Sequence, residues 1–516
     1  MRKLSFVLFT IVLTACSLDE HPRDQIPEEE VYTSASTLFN HTVATLYNYI
    51  GGSKEGEGLQ GTGRCVWDLQ TFGSDEALLP TRGTDWYDGG IWQAMYMHSW
   101  TPGHEIVNNS WLYLYKVITL CNRSLANLEA HKALAGTSYE VWNAEIRALR
   151  AIYYWYLIDL FGDVPLVISS NVSLKDVMRS PRAEVFQFCV DELNDCNQYL
   201  SMENSVPEGN YYGRVTMPVA YFVLAKLMLN SAIYTGKADV NEYYQRCIQY
   251  CDFLEFMGFQ LEGLMDMNFY VYNQHSKENI FTIPMDKYYF ANLNQNLVRS
   301  LHYRHADAYG FTGENGTCAT LKTIKVFGYN TEEEDTRFAA TFYADVLKGP
   351  DANPILDRMG QTLKYYPEEV EMDLSGTPYV ETAGARMRKY QIDKNSAKGG
   401  QLMNNDIVLF RFADVLLMRA EAKLRLGIDG HEDFDRVRQR SGMPVRPYTL
   451  ENILDERLLE LCWEGWRRQD LIRFGQYKSL YDGPDAVDES DGHTALFPIP
   501  SDARTLNPQI TQNPGY

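Results

Sequence analysis

The chain has 516 residues and a formal charge of −21, from 47 Lys and Arg against 68 Asp and Glu, with 45% hydrophobic and 22% charged residues. That balance fits a folded globular protein and excludes a disordered chain. The acidic excess argues against a nucleic-acid partner, whose phosphates need clustered Lys and Arg.

The amino end reads as an export signal. Arg2 and Lys3 precede the apolar run Leu4 to Leu13, which is too short to span a bilayer as a helix. Leu13-Thr14-Ala15-Cys16 resembles the bacterial lipoprotein cleavage box. Residues 1–15 are therefore expected to be removed, leaving Cys16 acylated and the body anchored to a membrane by lipid. Residues 16–32 form a polar, acidic tether. No later stretch is a candidate transmembrane span. Eight further cysteines are too few for a fold resting on disulfides. Cys247 and Cys251 share one helix face but lack partners at metal-site spacing, so the set is read as small buried hydrophobes. No cofactor or metal is expected; a structural calcium is left open, although no loop has the EF-hand order.

The body, 33–516, is predicted to be mostly α-helical. Residues 33–50 read as a first helix, and the glycine-rich segment 51–82 as loop. Helical periodicity returns in 86–97 and 110–129. In 139–160, Trp142, Ile146, Leu149, Tyr153, Tyr156 and Leu160 make one stripe. Residues 181–200 open with Pro181, and 217–235 pairs with 240–256 across Gly236. Helix pairs with short turns suggest stacked hairpins of the tetratricopeptide type. From 258 to 400 the pattern breaks into an irregular insertion, with Asn279 to Met285 as a candidate strand. The scaffold, 33–257, resumes over 401–476: 405–426 reads as the clearest helix, with Gly427 as its terminator. Residues 430–441 form a short partner and 450–475 another long helix. An extended tail, 477–516, follows.

The last helix carries Glu456, Arg457, Glu460, Glu464, Arg467 and Asp470. Paired carboxylates suggest a glycosidase acid and base, but alternating signs three and four residues apart form intrahelical ion pairs. The structural network is the favoured reading. No G-x-S-x-G, H-E-x-x-H, P-loop or G-x-G-x-x-G motif is present, and His302 and His305 read as solvent-facing. The chain is expected not to be an enzyme.

Six separated segments resemble the SusD/RagB family of Bacteroidota outer-membrane nutrient-binding lipoproteins. They are Cys16 with Ser17-Leu18-Asp19; Trp111, Tyr115, Ile118 and Asn122 at helix spacing; 147–166; 410–422; 455–475; and Phe497 to Pro500 with Asn507-Pro508 and the ending 512–516. The resemblance implies a right-handed superhelical scaffold of tetratricopeptide-like hairpins with an irregular, variable face. It also implies location at the outer membrane facing outwards, a partner resembling the TonB-dependent transporter SusC, and capture of an oligosaccharide without bond cleavage. A minority of the family binds peptides instead.

The matched motifs belong to the scaffold, so the ligand face is read from chemistry. A sugar ring offers apolar C–H faces to aromatic rings and hydroxyls to Asp, Asn or Arg. Two loop-rich segments, 67–100 and 286–311, combine the two. From the first, Asp75, Trp86, Tyr87 and Trp100 are candidate glycan contacts; from the second, Tyr288, Tyr289, Asn292 and Arg299. Trp111, Trp142 and Trp155 lie in helical stripes and are assigned to the core.

Overall fold

The computed structural model describes residues 31–289 and 292–516. The expected signal 1–15, Cys16 and most of the tether lie outside the described residues.

Helices follow one another as antiparallel hairpins. A helical stretch from Ala35 to Tyr47, α-helical at both ends and π-type between Asn40 and Ala44, opens the body. Then come α1 (Val66–Phe72), α2 (Glu105–Ala130), α3 (Tyr139–Phe161), α4 (Arg182–Asn197), α5 (Met217–Leu229) and α6 (Asn241–Phe256). After the irregular segment come α7 (Phe412–Arg425), α8 (His431–Arg440), α9 (Leu450–Leu461) and α10 (Arg467–Arg473). α2 packs on α3, α3 on α4, α5 on α6, α6 on α7 and α7 on α8. This is the tandem-hairpin, tetratricopeptide-like packing expected of the sequence.

Local chemistry sets the helix ends. α3 stops at Gly162, whose φ of +73° suits glycine; a Cβ there would also meet the Leu496 side chain at 2.7 Å. α5 starts after extended Thr216 with Pro218 in its first turn, and nearly all of its residues are buried. α7 carries Lys423 and Arg425 in its last turn, favourable at the negative end of the helix dipole. Trp155 stacks on Trp466 in the core, while Trp142 packs against it only partly buried.

Three readings of the sequence are corrected. Residues 51–82 contain α1, every residue of which is buried; glycines on both sides hide a seven-residue helix from a periodicity count. The stretch 405–426 is not one helix. Ile407–Arg411 is a strand, antiparallel to Asn279–Ile283, with Ile407 opposite Ile283, and α7 begins only at Phe412. A strand buried on both faces has no alternation to distinguish it from helix. Finally, 450–475 breaks between Leu461 and Arg467, where Trp463 and Gly465 have φ of +71° and +77°. The break turns the Glu464 carboxylate inwards to Arg411 and Lys389. The tail 477–516 is largely irregular but includes a helix, Ser501–Leu506.

The irregular segment holds short helices and two-residue strand pairs. One large core unites most of the body. A second, small cluster of Leu347, Ile355, Leu363 and Tyr365 lies under loops 343–369, with Tyr309 and Tyr343 against it. The eight cysteines of the body are free and buried. No helix among the described residues is long and apolar enough to cross a membrane.

Candidate functional site

The charged residues of α9 and α10 form a buried network, but mostly with partners other than those their spacing suggested. Glu456 meets Arg337 at 2.7 Å and Arg438 at 2.6 Å. Glu460 meets Arg337 at 3.0 Å, Arg411 at 2.6 Å and also Arg440. Glu464 meets Lys389 at 2.5 Å and Arg411 at 2.7 Å. Arg457 bridges Asp414 and Asp470, at 2.8 Å each. Asp470 keeps one partner at helix spacing, Arg473 at 2.8 Å; for the others the expected pairing within one helix is corrected, since these side chains face inwards, where neighbouring elements supply the opposite charge. Burial opposes the charge on Glu460, yet Arg440, Arg411 and Arg337 together hold its carboxyl well below the usual range. Every carboxylate in this set is matched by cations and withdrawn from solvent, so none is placed to act on a substrate. Among the described residues no group of three His, Cys, Asp or Glu side chains is arranged to hold a metal.

Four of the candidate glycan contacts also lie inside. Asp75 forms a two-point pair with Arg467, at 2.6 and 2.9 Å. Arg299 does the same with Asp68, at 2.9 and 2.6 Å, and its guanidinium lies over the Trp67 and Phe72 rings. The Trp100 indole N–H donates to the Tyr516 hydroxyl at 2.7 Å. Asn292 is buried, its amide donating to the Pro284 carbonyl at 3.2 Å. Loop composition suggested an exposed position for these residues; their hydrogen bonds instead tie loops to the body. His302 and His305 are likewise buried, not solvent-facing. His302 Nε2 lies 3.2 Å from Glu381, and burial pushes the His305 imidazole down to about 3.

Three of the four remaining rings face outwards. Tyr87 is 55% exposed, Tyr288 78% and Tyr289 86%. The Tyr288 and Tyr289 backbone N–H groups both donate to the Asp286 carboxylate, at 2.7 and 3.0 Å, which fixes this turn and splays the two rings 6.4 Å apart. Trp86 is half-buried; its indole N–H donates to the Glu314 carbonyl at 2.9 Å, and its edge faces Gly316, where a Cβ would come within 2.8 Å. Its φ of +63° is unusual for so bulky a residue. Left-handed backbone outside glycine costs on the order of 1–3 kcal/mol and concentrates at functional loops.

Contacts link these segments in sequence. Lys287 Nζ donates to the Asn395 carbonyl at 2.6 Å, the Thr312 N–H donates to the Gly399 carbonyl at 2.9 Å, and Trp86 reaches Glu314. Tyr303 donates to Asp85 at 2.7 Å, and Arg358 stacks over the Tyr303 ring. Beside them lies a groove of about 470 Å³ lined by Tyr303, Phe311, Gly313 and Arg358. The short helix Tyr303–Ala308 forms one wall.

On the other side of that helix is a larger cleft of about 810 Å³, which the sequence reading did not locate. Tyr309, Tyr329, Tyr343 and Tyr366 line it, together with acidic and basic side chains. Of these only Tyr309 falls within the two aromatic segments singled out above. The available signal was Phe-Tyr-Ala-Asp at 342–345 and Lys-Tyr-Tyr-Pro at 364–367, tyrosine beside charge in a segment without helical period.

Comparison with known proteins bears on the whole chain. A family model described as "SusD family" matches residues 277–516, and one described as "Starch-binding associating with outer membrane" matches 70–229. The chain belongs to the SusD/RagB family. Among SusD-related proteins, the starch-binding protein SusD of Bacteroides thetaiotaomicron is 24% identical over 509 residues, covering 90% of this chain and 88% of that protein. A laminarin-binding SusD-like protein superposes with a TM-score of 0.71 at 21% identity, over 94% of this chain and all (100%) of that one. Surface glycan-binding protein A of Bacteroides thetaiotaomicron, solved with laminarihexaose, has a TM-score of 0.71 at 19% identity, over 93% and 100% of the two chains. At these identities the superpositions establish the common SusD fold.

Proposed function

We propose that this SusD/RagB protein is a non-catalytic lipoprotein that captures an oligosaccharide at the cell surface. It passes the glycan to a TonB-dependent outer-membrane transporter resembling SusC. The observation that carries this reading is the set of outward rings, Tyr87, Tyr288 and Tyr289, on loops held by a helical scaffold, with Trp86 next to Tyr87 and Tyr303 bonded to the neighbouring Asp85. Flat rings take the apolar faces of pyranose units, and the carboxylates and guanidinium beside them bond to hydroxyls. Its relatives include a starch-binding and a laminarin-binding protein, which supports the same ligand class. Anchoring through acyl chains on Cys16, facing outwards, completes the proposal.

Affinity electrophoresis in gels containing starch or laminarin tests it. Retardation without shortening of the polysaccharide is expected. Retention of mixed peptides with no glycan retardation would assign the chain to peptide capture, and release of reducing ends would overturn the non-catalytic reading. Labelling with a palmitate analogue, lost on Cys16→Ala, tests the anchor.

A further inference from the structure

The 810 Å³ cleft adjoins a second cavity of about 340 Å³, and Tyr309, Tyr343 and Arg388 line both. Its size falls within the range of small-molecule sites. Its lining is mostly polar and carries both signs of charge: Glu334, Asp345, Glu368 and Glu369 against Lys348, Lys364 and Arg388. That near balance disfavours a strongly anionic or cationic guest. Carboxylates that accept and cations that donate suit one rich in hydroxyl groups.

The rings are set for such a guest. The Tyr309 hydroxyl donates to the Lys348 carbonyl at 3.0 Å, and the Tyr329 hydroxyl donates to Asp345 at 3.0 Å. These bonds hold the two phenols in place. Arg388 lies 5.4 Å from the Tyr343 ring centroid and Lys364 lies 5.1 Å from that of Tyr366. Arg388 is exposed, and among the described residues no carboxylate pairs with it. It therefore keeps its donors free between the two cavities, both of which it lines. The Tyr303–Ala308 helix separates this cleft from the groove lined by Phe311, Gly313 and Arg358: His305 faces the cleft, while Tyr303 and Arg304 face the groove.

We propose that the cleft is a second carbohydrate site, which takes a neutral hexose oligosaccharide independently of the outward rings. The inference rests on the proposed glycan capture and adds a second contact to it. Two sites on one body raise the residence of a long polymer through effective concentration, without either being tight.

Titration calorimetry and native mass spectrometry with laminarihexaose and maltohexaose test it on the full mature chain. For the hexasaccharide that binds, two equivalents per chain are expected. The double variant Trp86→Ala, Tyr87→Ala should keep one equivalent. Tyr366→Ala and, separately, the gentler Arg388→Ala should weaken the other by about tenfold or more. One equivalent in the wild type, unaffected by Tyr366→Ala and Arg388→Ala, overturns the cleft and leaves the proposed function standing. One equivalent lost only with the cleft variants supports the cleft and removes the outward rings. No binding of either hexasaccharide overturns both.

Discussion

Tyr87 and Trp86 are neighbours in sequence with different physical standing. Tyr87 offers its ring to solvent, whereas Trp86 is wedged against Gly316 and bonded to the Glu314 carbonyl. Tyr87→Ala should therefore weaken glycan retardation while leaving the thermal midpoint within about 2 °C, since surface changes stay within about 0.5 kcal/mol. Trp86→Ala should cost about 2–4 kcal/mol in urea unfolding, from lost packing and an orphaned carbonyl. Equal destabilisation by the two would show that Tyr87 is packed as well. At this scale the sequence could nominate aromatic and polar residues in loops, but not sort them. Asp75, Trp100, Asn292 and Arg299 share the composition of their exposed neighbours. For three of them the fate was decided by partners far along the chain, Arg467, Tyr516 and Asp68, and for Asn292 by the Pro284 carbonyl of its own loop.

Between elements, α9 and α10 act as a spine to which other segments attach through charge. Arg411, at the junction of strand 407–411 and α7, is the central cation. It meets Glu278 at 2.8 Å, Glu460 at 2.6 Å and Glu464 at 2.7 Å. Burying these ions is itself costly, and removing one partner leaves others uncompensated. Arg411→Met is expected to lose about 3–5 kcal/mol in chemical denaturation; a loss below about 1 kcal/mol would mean that the remaining cations suffice. Amphipathic helices such as α2 and α3 were legible, because their period is written into contiguous residues. The strand at 407–411 and the bend at 463–465 were not. The first is apolar on both faces, and the second is set by the inward demand of Glu464 for Arg411 and Lys389. Spacing along a helix finds only partners on that helix, so it exposed the acids of the spine but missed Arg337, Lys389 and Arg440.

At the scale of the molecule, the order of family motifs along the chain made the fold legible, whereas the variable face remained unread because it has neither period nor motif. The stability of the whole should also depend on one carboxyl in a loop. Glu76 accepts from the Trp463 N–H at 2.9 Å, and burial pushes its carboxyl up to about 8 from an ordinary 4.5. Between those values the unfolded chain has released a proton that the folded one retains. Glu76 therefore contributes stability below about pH 4.5 that is lost as pH rises towards 8, by up to about 1.4 kcal/mol per unit. Glu76→Gln should flatten that decline in urea titrations from pH 5 to 8; an unchanged slope would show that Glu76 is ionised in the folded protein. Elsewhere, loops 343–369 beside the larger cleft rest on their own four apolar side chains, Leu347, Ile355, Leu363 and Tyr365. A separate patch of this kind is expected to open locally, with its own free energy. Substitutions that reshape this wall are thus buffered from the rest of the polypeptide, and what the protein admits can drift across a lineage faster than how it folds.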